Sequence, residues 1–470
     1  MAFNITEFVI ANLYTLLALV IFLIYGIGIY ILYKKKILEK YNMSLYGPFI
    51  MWRTQKGRDL IDKLSKPKRF WRIYGNVAIV VCAVVMFVMF ALLLWQAIYI
   101  KSIPPESAPT PQMMIGLPII NPLIPWYGII GLIVAMIVHE FAHGILSRVA
   151  DIKIKSLGIV FCVIPLGAFV EPDEEGINAA GKIKRCRMLA SGALTNIVVS
   201  LIFVIFFSWS LFGSVAPVQD GILVRSVISD HPAEKAGIHE GAIILSINNT
   251  KTDSLNNFYA ALDSINASYI NSTNSSVPVE IYYKGNVSVV NVTPADKYQY
   301  YQKYYPTSNK EEYKGKAYFG VTISDPEILS STLSKPIRSA NTTQGAMGNL
   351  LFYIGAPLSG MLPFGSPLTD AYSIHGFWSF LPNDAFWILT NIVYYVFWIN
   401  IILGFSNVLP AIPFDGGHIF KDFVDTFISR IKRNLPKEKK EVYVRQIVYT
   451  VSLIVLMLIL WQIIGPRLRF

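Results

Sequence analysis

Apolar residues in this chain gather in long blocks rather than in the short alternating or three-to-four-spaced patterns of a soluble domain. At a rise of 1.5 Å per residue, about 20 apolar residues cross the hydrocarbon core of a bilayer. Six blocks reach that length: Phe8–Tyr33, Tyr74–Ile100, Pro125–Val149, Met188–Phe212, Ala385–Leu409 and Val442–Ile464. Each predicts a membrane-spanning helix. Leu350–Phe364 is apolar but broken by Gly355, Pro357 and Gly360, which predicts an interfacial or re-entrant segment. Leu157–Val170 (LGIVFCVIPLGAFV) is β-branched and too short and interrupted to span; Pro165 and Gly167 mark its expected turn.

Between the fourth and fifth blocks the pattern becomes that of a soluble α+β domain. Gly221–Val227 (GILVRSV) is strand-like, and DHPAEKAGIHEGAIILSINNT from Asp230 predicts helix, turn and strand. Ser254–Ile265 is helical, and Val279–Val292 (VEIYYKGNVSVVNV) is a hairpin turning at Lys284-Gly285-Asn286. A closing strand, Ala317–Ser324, follows a Tyr-rich insertion, Tyr298 to Tyr313, expected to be solvated surface. PAEKAG and GAIILSIN resemble the short helix and following strand of PDZ domains attached to envelope proteases. The likeness runs from about Ala216 to Asp325 and implies binding of extended peptides at a sheet edge.

Charge orients the chain. Only 15% of the 470 residues are charged, against the roughly 25% of a soluble domain, and 53% are hydrophobic. The net charge of +11 does not point to nucleic acid, because 12 Lys and Arg fall between Lys34 and Arg72 and another cluster runs from Lys421 to Arg445. Both flank hydrophobic spans, the positive-inside pattern. The first block therefore places the amino terminus outside, the third runs inward and the fourth outward. Residues 213–384 then lie outside, where sequons at Asn248, Asn266, Asn271, Asn274, Asn286, Asn291 and Asn341 are usable acceptors. Cys82, Cys162 and Cys186 form neither a disulfide framework nor a CxxC knuckle.

Against this apolar background, His139-Glu140-Phe141-Ala142-His143 stands out. Residues four apart share one helical face, so both imidazoles can address one ion with Glu140 beside it. HExxH is the pattern in which two histidines bind Zn²⁺ and the glutamate activates its water. His139 lies roughly 20 Å into its span at helical rise, where unpaired polar groups are costly and intramembrane ionisable residues mark function. A catalytic zinc takes three protein ligands and keeps one open position. Helices three and five are parallel, so NVLPAIPFDGGH, Asn407 to His418, reaches a similar depth. On spacing alone Asp415 and His418 are equal candidates. Of the other histidines, His231 and His239 belong to the exported domain and His375 to the outer loop.

HExxH in a membrane helix followed by N-x-x-P-x-x-x-x-D-G (Asn407, Pro410, Asp415, Gly416) resembles the site-2 protease family of intramembrane zinc metalloproteases. The resemblance implies His139, His143 and Asp415 as zinc ligands and Glu140 as general base. The family's G-x-x-x-N element is matched by Gly192 and Asn196, with Ala193 where members carry Pro. It implies that Asn196 holds substrate backbone or the oxyanion. It also makes Leu157–Val170 a re-entrant β-loop that clamps an extended substrate. The expected substrate-binding set is Gly192, Asn196, Gly158, Gly167, Asn407 and Gly416.

The expected fold is thus a polytopic α-helical membrane protein of about six spans with an inserted PDZ-like domain and a β-loop. Its expected segments are residues 1–122 (two helices and a basic loop), 123–215 (motif helix, β-loop and GxxxN helix), 216–325 (PDZ-like), 326–384 (outer linker) and 385–470. The expected reaction is hydrolysis of peptide bonds within transmembrane segments of single-pass substrates trimmed beforehand by another protease. The PDZ-like domain is expected to gate entry, and membrane lipid is the surrounding partner. The competing reading is a non-hydrolytic scaffold with structural zinc, His418 as fourth ligand and the PDZ-like domain as binder. A metal transporter is disfavoured, because apart from Glu140 and Asp415 the six spans contain no Asp or Glu.

Overall fold

Backbone groups inside a bilayer must be satisfied within the chain, which leaves helices as the natural product of long apolar blocks. The computed structural model describes residues 13–100, 108–114, 121–162, 164–265, 269–270, 275–304, 311–340, 342–359 and 362–468. The chain divides into two units: one of residues up to Ile202 together with Tyr395 onward, the other Phe203–Tyr394.

The first unit begins with α1 (Leu13–Lys34), of which Leu23–Lys34 forms a shorter apolar helix. Two strands follow, β1 (Met43–Tyr46) and β2 (Phe49–Thr54), then α2 (Arg58–Leu64) and α3 (Lys68–Tyr99). The motif helix is α4 (Tyr127–Val149). It leads into β3 (Ile154–Cys162), β4 (Ile164–Pro172) and α5 (Lys182–Ile205). These four strands form one antiparallel sheet in the order β1-β2-β3-β4.

The sheet corrects two sequence expectations. The β-loop belongs to a larger sheet, because β2 pairs with β3 from Ile50↔Phe161 to Thr54↔Leu157. The segment between the first two spans, read as a plain basic loop, supplies those strands around Gly47, whose φ of +60° suits a tight hairpin. The turn also falls earlier than Pro165 and Gly167. Cys162 pairs with Ile164, and Val160 with Gly167, so both turn candidates lie within β4. Residue 163, between the strands, lies outside the described residues.

The second unit contains a sheet with strands β5 (Ile222–Val227), β6 (Ile243–Ile247), β7 (Val277–Tyr283), β8 (Asn286–Val292) and β9 (Val321–Ser324), in the order β8-β7-β6-β5-β9. Helix α6 (Leu255–Asp263) starts at Ser254, whose hydroxyl accepts the Asn257 N–H at 3.2 Å. Val224, Ile244, Phe258, Val279 and Phe319 anchor a continuous apolar core. Lys284 and Gly285 both adopt positive φ, 48° and 88°, and form a two-residue turn, while Asn286, the third residue of the expected turn, already pairs with Tyr283 as the first residue of β8.

Two expectations change here. The closing strand is split: Ala317–Tyr318 pairs with Ala295–Asp296, while β9 pairs with β5. The Tyr-rich insertion folds in part as α7 (Lys297–Tyr304), and the Tyr300 ring lies tilted against that of Tyr318 with centroids 4.5 Å apart, so it packs against its own module. Residues 305–310 lie outside the described residues, as do Asn266, Asn271, Asn274 and Asn341; Asn248, Asn286 and Asn291 are exposed. Leu350–Phe364 begins inside a helix, Thr343–Gly355, followed by a 3-10 turn, Ala356–Ser359, and Gly360 is outside the described residues.

The chain returns through α8 (Asn383–Asn407), α9 (Asp415–Ile431) and α10 (Lys437–Ile464). Among the described residues, five helices are long and apolar enough to cross a membrane: α3, α4, α5 with its extension to Ser214, α8, and α10 with its extension to Arg467. Several start earlier than their apolar blocks, since a helix ladder continues through basic flanks such as Lys182 and Lys437. Glycines set the close crossings. A Cβ on Gly131 of α4 would stand 2.5 Å from the Tyr395 carbonyl of α8, and one on Gly404 of α8 would stand 3.2 Å from the Ala193 carbonyl of α5. Helix α8 is thereby held against both α4 and α5.

Candidate metal centre

His139 and His143, one turn apart on α4, point the same way: their ring centroids are 4.6 Å apart and their Nε2 atoms 3.0 Å apart. Asp415 is the first residue of α9, where the positive end of the helix favours a carboxylate. Its Oδ2 lies 3.1 Å from His139 Nε2 and 3.2 Å from His143 Nε2. The three donors come from two helices separated by 276 positions in the chain. They are sheltered, with 7%, 13% and 18% of the three side chains exposed.

Two glycines bring Asp415 there. A Cβ on Gly416 would fall 2.2 Å from the Val408 carbonyl oxygen, and one on Gly417 would fall 2.5 Å from the Ala411 carbonyl carbon. Only glycine lets α9 start pressed against the turn that ends α8. That turn is further held by the Ile412 N–H donating to Ser452 Oγ at 3.1 Å.

Glu140 completes the cluster, its carboxylate and the two imidazoles offering ligand atoms all within 4.8 Å of one another. Its Oε2 accepts the Val170 N–H of β4 at 2.9 Å. Strand β4, which ends the sheet, therefore orients the carboxylate. Within the same sheet Glu171 accepts from Ser156 Oγ at 2.5 Å and from Arg53 Nε at 3.3 Å, and these contacts hold its carboxyl below the ordinary range.

Helix α5 supports the histidines. The Met188 carbonyl lies 2.8 Å from His143 Nδ1, which turns Nε2 towards the cluster. A Cβ on Gly192 would lie 2.6 Å from His143 Nε2 and 2.7 Å from His139 Nε2. The Asn196 amide, fully buried, lies 3.2 Å from His139 Nδ1.

The donors fit a divalent cation. Ligands held tetrahedrally at about 2.0–2.1 Å from zinc stand about 3.3 Å apart, close to the observed separations of 3.0, 3.1 and 3.2 Å. With Nδ1 of both rings engaged, each Nε2 is left to face the other two donors.

The remaining candidates are more scattered. His418, one turn beyond Asp415, is exposed. Gly158 sits where a Cβ would lie 2.3 Å from the Trp52 carbonyl oxygen and from the Phe169 ring, so strand packing requires it. Gly167 has more room, its nearest neighbour being Met136 Sδ at 3.6 Å. Asn407 is the last residue of α8 and half-buried. His231, His239 and His375 belong to the second unit. Sequence reasoning missed the Val170 N–H and the Met188 carbonyl, since backbone partners carry no side-chain signature.

Two imidazoles and a carboxylate able to hold a cation, with a second carboxylate beside them on a scaffold of membrane-type helices, define a metallohydrolase-type centre. The chain belongs to peptidase family M50, whose sequence model matches residues 127–459, from the start of α4 into α10. This is the site-2 protease family that its motifs resemble, and the protein is a multi-pass membrane peptidase. It is 27% identical over 439 residues to the uncharacterized protein MJ0971 of Methanocaldococcus jannaschii, covering 92% of each chain. It is 22% identical over 306 residues to a putative zinc metalloprotease, CPE1693, of Clostridium perfringens, covering 62% of this chain and 80% of that one. Identity is also 22% over 359 residues to the zinc metalloprotease Rip1 of Mycobacterium bovis, covering 62% and 82%.

Proposed function

We propose that the protein is an intramembrane zinc metalloprotease that cleaves peptide bonds inside the transmembrane segments of membrane-anchored proteins. One observation carries this reading: His139 and His143 of α4 and Asp415 of α9 converge to 3.0–3.2 Å with Glu140 beside the histidines. The first three hold the metal through Nε2, Nε2 and Oδ2. Zinc, when bound, supplies Lewis acidity that lowers the pKa of water to about 7 and polarises a carbonyl. Glu140 takes the proton from the attacking water and returns it to the leaving amine. Its anchor on the Val170 N–H occupies Oε2 and leaves Oε1 for that transfer. The exposure of His418 supports three protein ligands and an open position rather than a closed structural site.

A substrate helix hides its peptide bonds in its own hydrogen bonds, so it must unwind locally and pair elsewhere. Strand β4 ends its sheet and touches Glu140, which suits it to receive the unwound segment as an added strand. We read residues 216–325 as a PDZ-like domain because strand, short helix, strand, helix and hairpin follow one another as its sequence predicts. Lying between two spans whose opposite flanks are basic, it belongs on the outer side and filters substrates, admitting those already trimmed. The basic segments and the metal centre lie towards the cytoplasmic side.

In reconstituted membranes, Glu140→Gln should keep one zinc per chain yet slow cleavage of a single-span reporter by at least about 100-fold. Cleavage at the wild-type rate would end the assignment of Glu140. The wild-type arm, run on trimmed and untrimmed reporters, tests the filter: equal rates would refute it.

A further inference from the structure

Met188, Gly192 and Asn196 recur every four residues on α5 and so share one face, and each meets the histidine pair. Met188 accepts from His143, Gly192 makes room for both rings, and Asn196 reaches Nδ1 of His139. The last contact carries a chemical constraint. Asn196 Nδ2 faces His139 Nδ1 at 3.2 Å, while Oδ1 of the same amide has no partner among the described residues. An amide N–H can donate only to an unprotonated Nδ1, and a neutral imidazole then carries its proton on Nε2. That proton would point at Asp415 Oδ2, 3.1 Å away, and a protonated nitrogen cannot ligate a metal.

The amide has a second, isosteric orientation, turned by 180°, that puts Oδ1 against Nδ1. One amide atom lacks a bond to the imidazole either way, so burial of the amide alone does not choose between them. The imidazole chooses. With Nε2 committed to a metal, Nδ1 must carry the proton and needs an acceptor, and the Asn196 amide is the group in place. The same logic holds at His143, whose Nδ1–H has the Met188 carbonyl.

We propose that Asn196 is a positioning residue for His139. It accepts the Nδ1–H through Oδ1 and thereby selects the tautomer and ring angle in which Nε2 ligates the metal. The inference rests on the zinc reading above but assigns to Asn196 a role on the metal side rather than the substrate side. The G-x-x-x-N spacing then has a local reason: glycine clears the rings and asparagine, one turn on, orients one of them.

Chelator competition on the detergent-purified full chain tests this. Asn196→Leu, close in size but without an acceptor, should weaken zinc affinity about 10- to 100-fold, the range for lost outer partners of metal-bound histidine. Asn196→Asp, which keeps an acceptor, should restore it to within about threefold of wild type. Wild-type affinity in Asn196→Leu, with only cleavage impaired, would overturn the inference and return Asn196 to substrate binding. If Asn196→Leu does not fold, nitrogen NMR of wild-type protein labelled with ¹⁵N-histidine decides: a proton on His139 Nδ1 in the zinc-loaded state is expected, and its absence overturns the proposal. A wild-type chain that binds no zinc would instead sink the zinc reading itself.

Discussion

Helix α9 carries two clusters of charge, and they are built by opposite rules. Seven residues after Asp415, Asp422 receives both arms of the Arg185 guanidinium, at 2.8 and 2.5 Å. One turn further, Asp425 meets Lys182 and, at 2.9 Å, Lys440. Each carboxylate there meets at least one cation, and the pairs tie α9 to the start of α5 and to α10. At Asp415 the rule is reversed: a carboxylate meets two imidazole nitrogens, with a second carboxylate on Glu140 near those rings and, among the described residues, no Lys or Arg paired with it. A cluster in which every carboxylate meets a cationic side chain holds helices together. A cluster of donors and anions that converge without a cation is complete only when it binds one.

The largest expected effect comes from breaking the second kind of cluster. Asp415→Asn removes the proposed anionic ligand and should weaken zinc binding by more than about 100-fold, beyond what loss of an outer partner costs. Metal analysis after dialysis against a weak chelator measures it, and full zinc retention would shift the third-ligand role to another residue. Next comes the first kind. Asp422→Asn leaves Arg185, whose side chain is only 23% exposed, without its counter-charge. A loss of about 3 kcal/mol in stability is expected, read as a lower midpoint in thermal unfolding in detergent. Zinc should still bind one per chain, and a loss of metal at unchanged stability would erase the distinction between the clusters.

The smallest effect is one of pH. Burial raises the Asp425 carboxyl, but the ammonium groups of Lys182 and Lys440 outweigh it and hold the carboxyl below the usual aspartate range. A carboxyl depressed in the folded state stabilises the fold fully above the unfolded value, near pH 4, and loses that contribution as pH falls through the lower folded value. Thermal midpoints measured from pH 6 to 3 should therefore fall more steeply for wild type than for Asp425→Asn. Parallel curves would show that the pair adds nothing, as many exposed pairs do.

Legibility in the sequence follows the same division. The spans and the histidine pair could be read directly, because apolar length and four-residue spacing are local properties of a helix. Five of the six apolar blocks match helices long enough to span, and the first is represented by the shorter apolar helix Leu23–Lys34. The block pattern did not show that residues 43–54 add two strands to the β-loop, since that pairing is made by backbone groups of segments about 100 positions apart. Nor did it choose between Asp415 and His418, which are three residues apart and differ only in the direction each faces once α9 begins.

What the chain's order of residues determined alone is therefore the set of elements and the identity of the chemistry-bearing side chains. Helix geometry is short-range and repeats along the chain, so periodicity and composition suffice for that. Tertiary structure decided which of those side chains meet. Gly131, Gly416 and Gly417 allow backbones to approach where any Cβ would collide, Gly404 allows a tight crossing, and together these carry a carboxylate across 276 positions to within 3.2 Å of two imidazoles. Such a distance depends on packing between helices, and no local pattern encodes it.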